Sequence, residues 1–170
     1  MNVFEIIENR HSVRCYKKTP VENEKVMKIL EAARFGPSAA NRQPCYFIVV
    51  TNPEVRKSLS KAYAANWFLE APAIIVCCVN PREAWRRWDG EEYWKVDAAI
   101  AMQNLILTAT ELGLGTCWIG AFHEKEVKKA LNIPKDIRVV AMTPLGYSEE
   151  TKTEATERKP LTQIIHNEKW

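Results

Sequence analysis

Residues 93–112 form a stretch that is apolar on nearly every face of a helix. Apolar side chains recur there at helical spacing, and the stretch lacks the polar stripe of a helix that has one side in water. Such a helix must be packed on most of its surface. We therefore expect its own chain to cover part of it and a second copy of the chain to cover the rest, which predicts a homodimer.

The remaining periodic segments alternate between helix and strand. Helices are predicted around residues 3–7, over 22–35, from Pro53 onward and over 124–131, and strands over 46–50, 74–79, 116–119 and 138–147. Gly36 is expected to end the second helix in the C-cap conformation. Two long connections between strands favour an α+β fold with a mixed strand order, and we expect one domain over residues 1–170.

The composition excludes several classes of protein. A formal charge of +3 over 170 residues is too small and dispersed for a nucleic-acid surface. The five cysteines and three histidines show no metal-ligand spacing, so we expect no metal site and no disulfide framework. No apolar run approaches the roughly 18 residues of a membrane span. Acidic residues within the first eight positions are unlike a signal peptide, and a cytoplasmic, membrane-free protein is the expectation.

The first candidate binding segment is Arg10-His11-Ser12-Val13-Arg14. It follows the short opening helix and offers two guanidinium groups, an imidazole and a hydroxyl. Planar guanidinium groups match the oxygens of a phosphate monoester, and a hydroxyl adds a further donor. A solvated basic loop would have the same composition.

A second candidate is the turn over residues 36–44, directly before a predicted core strand. Asn41 and Gln43 can donate and accept hydrogen bonds at once, which suits the alternating carbonyl and N–H edge of a pyrimidine-like ring. The position at the mouth of a strand favours a ligand site, although an ordinary turn remains an alternative.

Two further segments are weaker candidates. Residues 113–120 contain three glycines that would let backbone approach a flat ligand, but their spacing and position do not support a Rossmann dinucleotide site. A plain helix-ending turn is the alternative there. Arg158 and Lys159 lie in a polar tail as an exposed basic turn, or as a second contact to the phosphate bound by Arg10 and Arg14.

Residues 85–94 hold four large aromatic side chains with charges between them. Aromatic and arginine side chains together can stack on planar ligands or on nucleobases. Because the acids offset the arginines, a lid over a substrate is favoured over a nucleic-acid platform, and the latter stays open as a hypothesis.

Taken in order, these segments resemble the nitroreductase family of FMN-dependent enzymes along nearly the whole chain. The matching marks are the Arg10–Arg14 cluster, the Pro37–Pro44 turn, Ala71-Pro72, residues 97–120 and Arg158-Lys159-Pro160-Leu161. The resemblance implies a three-layer α+β fold with a mostly antiparallel central sheet between helices. It also implies an obligate homodimer with the flavin in the interface and a C-terminal tail exchanged with the partner, which would dock the apolar residues Leu161, Ile164 and Ile165.

The resemblance also implies which residues hold FMN. Those expected at the phosphate and ribityl chain are Arg10, His11, Ser12 and Arg14, with Arg158 or Lys159 helping. Those expected around the isoalloxazine ring are Pro37, Ser38, Ala39, Asn41 and Gln43, partly from the partner, with Asn66 and the turn of Cys117, Trp118, Ile119 and Gly120.

The implied activity is electron transfer from NAD(P)H through FMN to a small oxidising substrate, such as a nitroaromatic or quinone, in a ping-pong mechanism. No side chain is expected to act as a catalytic nucleophile or acid, because the cofactor carries the chemistry. The alternative is an FMN-binding protein without a nicotinamide reaction, serving as a carrier, sensor or flavin-consuming enzyme. Cys45 departs from the family pattern, in which an aromatic residue commonly follows the Gln-Pro pair.

Overall fold

The computed structural model describes residues 1–150 and 157–170 of the chain. In chain order, the helices and strands of this part are α1 (Val3–Asn9), α2 (Asn23–Arg34), β1 (Cys45–Val50), α3 (Pro53–Ser58), α4 (Asn66–Glu70), β2 (Ala73–Val79), α5 (Trp94–Glu111), β3 (Gly115–Thr116), α6 (Glu124–Leu131) and β4 (Arg138–Gly146). Short 3-10 turns occur at Ala39–Asn41, Leu59–Lys61 and Leu161–Gln163.

The strands form one sheet in the order β1-β2-β4-β3, and every pairing is antiparallel. Strand β2 is buried along its whole length, which explains its continuous apolar sequence. Cys45 at the start of β1 pairs with Val79, which in turn pairs with Arg138 at the start of β4. Gly115 pairs with Gly146 at the other end of β4, so the short edge strand β3 covers only that end, whereas β1 pairs along nearly the whole of β2.

The sheet separates two apolar layers, because successive side chains of a strand point to opposite faces. Ile75 and Cys77 face the layer that contains α2 and α5. Ile74 and Val76 face the layer that contains Phe68 of α4 and Val127 of α6. This arrangement confirms the expected α+β fold with an antiparallel sheet between helices.

Helix α5 is covered by its own chain on one side and open on the other. Its buried side includes Met102 and Leu105, which pack in the same core layer as Ile29 of α2. The open side forms the floor of a shallow groove of about 540 Å³, lined by Lys95, Val96, Ala99, Ile100, Gln103 and Asn104. Although α5 is the most apolar helix of the sequence, no helix in residues 1–150 and 157–170 is long and apolar enough to cross a membrane.

Two local predictions were wrong. Gly36 does not adopt the left-handed C-cap conformation, and the residue that caps α2 is Phe35, in a right-handed conformation. Gly36 instead allows close packing, because a Cβ there would lie 3.2 Å from the Cα of Ala101 in α5. The strand predicted over 116–119 is shorter, since only Gly115–Thr116 pairs as a strand and Ile119 makes an isolated bridge to Met142.

Candidate functional site

The Arg10–Arg14 segment is fixed against β3. Ser12 forms a parallel bridge with Thr116, and the N–H of Val13 donates to the carbonyl of Thr116 at 2.9 Å. The Val13 side chain is buried, and it lies so close to Gly115 that a Cβ there would come within 2.7 Å of Val13 Cγ2. The side chains of this segment therefore extend from a backbone that the sheet holds in place.

Several polar groups of this segment have no partner within residues 1–150 and 157–170. The Arg10 guanidinium makes no hydrogen bond or ion pair within the described residues, and Arg10 is half-buried. The ring of His11 donates from Nδ1 to the carbonyl of Asn9 at 3.0 Å, because a carbonyl can only accept. His11 Nε2 is buried and has no partner in that same part of the molecule. Buried polar atoms are normally hydrogen-bonded, so this arrangement is suited to an external polar ligand.

Arg14 connects this segment with α4. Its guanidinium lies 6.0 Å from the centre of the Trp67 ring, and Trp67 follows Asn66 directly. The structure thus brings the weaker candidate Asn66 to the same region as Arg14. The backbone N–H of Arg14 is already used, since it donates to Glu150 Oε1 at 2.7 Å.

In the turn over residues 117–120, some backbone groups are already hydrogen-bonded within the chain, whereas other residues are exposed to solvent. The N–H of Cys117 donates to Thr143 Oγ1 at 3.1 Å, and the N–H of Ile119 donates to the carbonyl of Met142 at 2.8 Å. Cys117 and Ile119 are buried, whereas Trp118 and Gly120 are exposed. Trp118 and Gly120 are therefore the members of this turn that can contact a ligand directly.

The turn before β1 is strained and held by side chains. Ala40, Asn41 and Gln43 have positive φ angles of 50°, 52° and 50°. Such left-handed conformations are uncommon outside glycine and cluster at functional sites. The Ser38 hydroxyl accepts the N–H of Gln43 at 2.9 Å, and Asp97 Oδ1 accepts the N–H of Ala39 at 2.9 Å. The amide side chains of Asn41 and Gln43 are exposed.

Asp97 is a residue of this site that the sequence analysis missed. It is 2% exposed, although it belongs to the apolar helix α5. The signal available in the sequence was a carboxylate in the first turn of the apolar helix α5, which entered the sequence analysis only as the start of the family motif over residues 97–120.

The same turn borders a cavity of about 460 Å³ between α2, β1 and α5. The polar residues that line it are Glu31, Arg34, Ser38, Gln43, Cys45 and Asp97. A hydrogen bond with the Cys77 thiol lowers the pKa of Cys45, while that bond and burial raise the pKa of Cys77. Cys45 thus stands in the cavity wall, where the family pattern has an aromatic residue.

The structure does not bring the two groups of candidate residues together within one chain. The Arg10–Arg14 segment lies beside β3, after the C-terminal end of α5, and the Pro37–Gln43 turn is bound to Asp97 near its N-terminal end. Fourteen residues separate Asp97 from Glu111, which corresponds to about 21 Å along the helix axis. Within one chain, both groups can be reached only by a ligand that spans roughly this distance.

The remaining candidates lie in exposed segments. Residues 157–170 are exposed, including Lys159, and Arg158 Nη1 donates to the carbonyl of Glu157 at 3.0 Å. In the aromatic segment 85–94, the bond of Arg86 to Glu92, at 2.6 Å, closes a loop whose Trp88 is 92% exposed. Within the described residues, no three His, Cys, Asp or Glu side chains are grouped so that they could hold a metal ion.

Comparison with known proteins gives one consistent result. A family model described as "Nitroreductase family" matches residues 7–68 and 59–147. A protein of Archaeoglobus fulgidus with the provisional name NADH dehydrogenase/NAD(P)H nitroreductase is 37% identical over 174 residues, covering 98% of each chain. A nitroreductase family protein of Clostridium difficile 630 is 32% identical, with a TM-score of 0.91 over 100% of each chain.

A third similar protein, from another strain of Clostridium difficile, is named as an FMN-dependent nitroreductase. It is 29% identical, with a TM-score of 0.86 over 98% of this chain and 99% of that one. The match of the family model extends from the end of α1 to the end of β4, and it contains both groups of candidate residues around α5. This chain therefore belongs to the nitroreductase family.

Proposed function

We propose that this protein is an FMN-dependent oxidoreductase that passes electrons from NAD(P)H to a small oxidising substrate. The observation that carries the proposal is that the Arg10 guanidinium and His11 Nε2 have no partner among the described residues, on a segment that the sheet fixes next to β3. Similar proteins are named as NAD(P)H nitroreductase and FMN-dependent nitroreductase, and both names agree with that chemistry.

The residues of this segment fit the phosphate end of FMN. Arg10 offers a guanidinium group without a partner in the described part of the chain, and Ser12 offers a hydroxyl. The orphaned and buried Nε2 of His11 indicates that a polar group from outside the chain completes the site. Arg14 supplies a second cation, and we propose Arg158 or Lys159 as a further one.

The Pro37–Gln43 turn fits the edge of the flavin ring. Its exposed Asn41 and Gln43 amides can donate and accept towards the carbonyl and N–H groups of the ring, and Pro37, Ser38 and Ala39 form the adjacent backbone. We propose that Asn66 and the turn over Cys117, Trp118, Ile119 and Gly120 border the ring from the Arg14 side.

A homodimer would join the two groups of residues. An isologous two-fold contact between the open faces of two antiparallel α5 helices places the Asp97 end of one helix beside the Glu111 end of the other. The phosphate segment of one protomer then meets the ring-side turn of its partner. Leu161, Ile164 and Ile165 are exposed in the tail, and we propose that the tail docks on the partner. Each protomer is then one domain, and its free thiols suit the reducing cytoplasm.

FMN, when bound, supplies reversible two-electron chemistry, and the protein supplies binding, orientation and exclusion of water. The guanidinium groups of Arg10 and Arg14 would neutralise the phosphate and anchor one end of the cofactor. The strained turn would fix hydrogen-bonding groups at the ring before the cofactor arrives, so that no reorganisation is needed during the reaction. One open face of the ring would serve the nicotinamide and the acceptor in turn, giving a ping-pong order.

The test is a spectrum and an electron-acceptor screen. Protein loaded with FMN and freed of excess cofactor should absorb in the flavin bands and should oxidise NADH or NADPH when a nitroaromatic or a quinone is added. Parallel lines of reciprocal rate against reciprocal donor concentration would support the ping-pong order. A folded dimer that does not retain FMN contradicts the proposal. Retained FMN that neither nicotinamide reduces under anaerobic conditions would instead favour a flavin carrier, sensor or flavin-consuming enzyme.

A further inference from the structure

Asp97 is a buried carboxylate that the proposed electron transfer does not use directly. Its Oδ1 accepts the N–H of Ala39, 58 residues earlier in the chain, at 2.9 Å. Its Oδ2 is buried and has no hydrogen-bond partner among residues 1–150 and 157–170. Because burial of a charged group with an unsatisfied oxygen is unfavourable, the placement of Asp97 requires an explanation.

The position of Asp97 in α5 offsets part of that cost. Asp97 lies in the first turn of the helix, where the positive end of the helix dipole favours negative charge. Residues that pack on the same core layer, such as Ala98 and Ala101, are small and apolar and offer no hydrogen bond to a carboxylate. The bond to Ala39 is the hydrogen bond by which the Asp97 side chain is joined to another segment of the described residues. The hydrogen bond with Cys77 lowers the pKa of the neighbouring Cys45 thiol, and the charge of Asp97 acts to raise that pKa.

The turn that Asp97 holds is the one with three left-handed residues, Ala40, Asn41 and Gln43. Strained backbone of this kind persists only where the surrounding structure determines it. Within the turn, the hydroxyl and carbonyl of Ser38 accept the N–H groups of Gln43 and Asn41. These bonds are internal to the turn and do not fix it to the rest of the fold. The bond from Ala39 to Asp97 ties it to the longest helix.

We infer that Asp97 is a positioning residue for the flavin ring. Acting through the Ala39 N–H, it holds the turn in the strained geometry that presents the Asn41 and Gln43 amides. Asp97 also lines the 460 Å³ cavity that Ser38 and Gln43 line, so the residue lies directly beside the turn that it holds. This inference rests on the proposed flavin site, because it assigns Asp97 a role in shaping one half of that site.

Two substitutions of Asp97 test the hydrogen bond that it accepts from Ala39. Asp97→Asn retains an acceptor for the Ala39 N–H, whereas Asp97→Ala removes it. Asn52→Ala is the matched control, because Asn52 also accepts backbone N–H groups, at the start of α3, beyond the opposite end of β1 from the turn. The control should lower thermal stability without altering the turn, as loss of a helix cap does.

The first measurement uses the dimeric protein without FMN. Limited trypsin digestion reports on the turn, because Arg42 lies within it and is exposed. Cleavage after Arg42 should become about tenfold faster in Asp97→Ala and should stay near the wild-type rate in Asp97→Asn and Asn52→Ala. Equal cleavage rates in all four proteins would overturn the inference.

The second measurement is FMN binding, followed by flavin fluorescence and by the visible circular dichroism of the bound ring. Asp97→Ala should weaken FMN binding about tenfold and change the dichroism, and Asp97→Asn should restore both. If Asn52→Ala weakens binding equally, the effect is one of general stability and the inference fails. Wild-type protein that does not bind FMN contradicts the proposed function instead, and the trypsin result still decides whether Asp97 holds the turn.

Discussion

Ser12 and Thr116 form a parallel bridge that attaches the segment after the first helix to the short strand β3. The adjacent bond from the Val13 N–H to the Thr116 carbonyl, at 2.9 Å, fixes the register of the two segments. They are about a hundred residues apart in the chain, and their contact places Arg10 and Arg14 on a backbone that cannot shift independently of the sheet.

The contact depends on the absence of a side chain at position 115. Gly115→Ala should push the Arg10–Arg14 segment away from β3, because the new Cβ would lie 2.7 Å from Val13 Cγ2. We expect a loss of about 1–3 kcal/mol in the free energy of unfolding, measured by urea denaturation, and weaker FMN binding. Val13→Ala in the same chain should relieve the clash. Additive effects of the two substitutions would show that the contact is not the cause.

Arg10→Ala should weaken FMN binding by about 1.5–3 kcal/mol, because it removes a charge-assisted contact to the phosphate. Riboflavin lacks the phosphate, and its binding should change little in the same variant. Arg82→Ala is the control, since it removes an equal charge from an exposed side chain that pairs with Asp136. If Arg10→Ala and Arg82→Ala reduce FMN binding equally, the effect is the net charge of the protein and the phosphate lies elsewhere.

Val96→Asp should prevent dimer formation. Val96 is 46% exposed on the open face of α5, where a carboxylate would be buried by a second copy of the chain. Sedimentation velocity should show a monomer that has lost FMN binding. Val55→Asp introduces the same charge at a valine of α3 that is 38% exposed, and it should leave the dimer intact. A Val96→Asp dimer that retains FMN would place the interface on another surface.

Trp88→Ala should raise the KM for an aromatic acceptor about three- to tenfold, because an aromatic contact contributes roughly 0.5–1.5 kcal/mol. Trp88 is 92% exposed on a loop closed by Arg86 and Glu92, at the same end of α5 as the ring-side turn. The affinity for FMN and the midpoint of thermal unfolding should stay constant, and Trp88→Phe should behave like the wild type. An unchanged KM for every acceptor tested would exclude the loop from the substrate site.

Glu124 should make stability depend on pH. Burial alone would raise the pKa of its carboxyl, but hydrogen bonds from Arg138 and the Val139 N–H, with the charges of Arg138 and Lys128, lower it from 4.5 to about 2. The fold therefore favours the ionised form. This stabilisation is fully present above pH 4.5 and is lost as the pH falls from 4.5 to about 2.

The matching experiment compares urea unfolding of Glu124→Gln and wild-type protein between pH 7 and pH 2. We expect the variant to be about 1–2 kcal/mol less stable at pH 7, after allowing for solvent screening, and the difference to shrink towards pH 2. Glu126→Gln, two residues along the same helix, should show little difference at any pH. If the free energies of unfolding of Glu124→Gln and wild type differ by the same amount at every pH, the stabilisation comes from packing and not from the charge of Glu124.

The candidate site was predictable from sequence where its groups are adjacent in the chain. The Arg10–Arg14 cluster and the turn with Asn41 and Gln43 were identified from short stretches, because the chemistry of guanidinium and amide groups is visible in the residues themselves. Asp97 was missed because its role depends on a hydrogen bond to Ala39 across 58 residues. No local pattern reports such a bond.

The fold was predictable to a similar degree. Short apolar runs located the four strands of the sheet and helical periodicity located the main helices, and the apolar surface of α5 indicated a second packing partner. The wrong expectation for Gly36 has a tertiary cause. Glycine after a helix is commonly a C-cap, but here the missing Cβ permits close contact with Ala101 of α5. A glycine that caps a helix and a glycine that permits close packing look the same in the sequence, so the sequence alone does not distinguish the two roles.

The sequence by itself determined which chemical groups this protein has for binding and packing. These are a cationic cluster, a turn with exposed amides, and a helix so apolar that most of its surface must be packed. Those properties follow from side-chain chemistry and from periodicity, which are local. Only the tertiary structure decided that the cluster lies beside β3, after the C-terminal end of α5, while the turn lies at Asp97, about 21 Å before that end along the helix axis. It also decided that Asp97 ties the turn to that helix. The separation arises because α5 spans the sheet from one end to the other, and so each chain carries two different halves of the proposed flavin site.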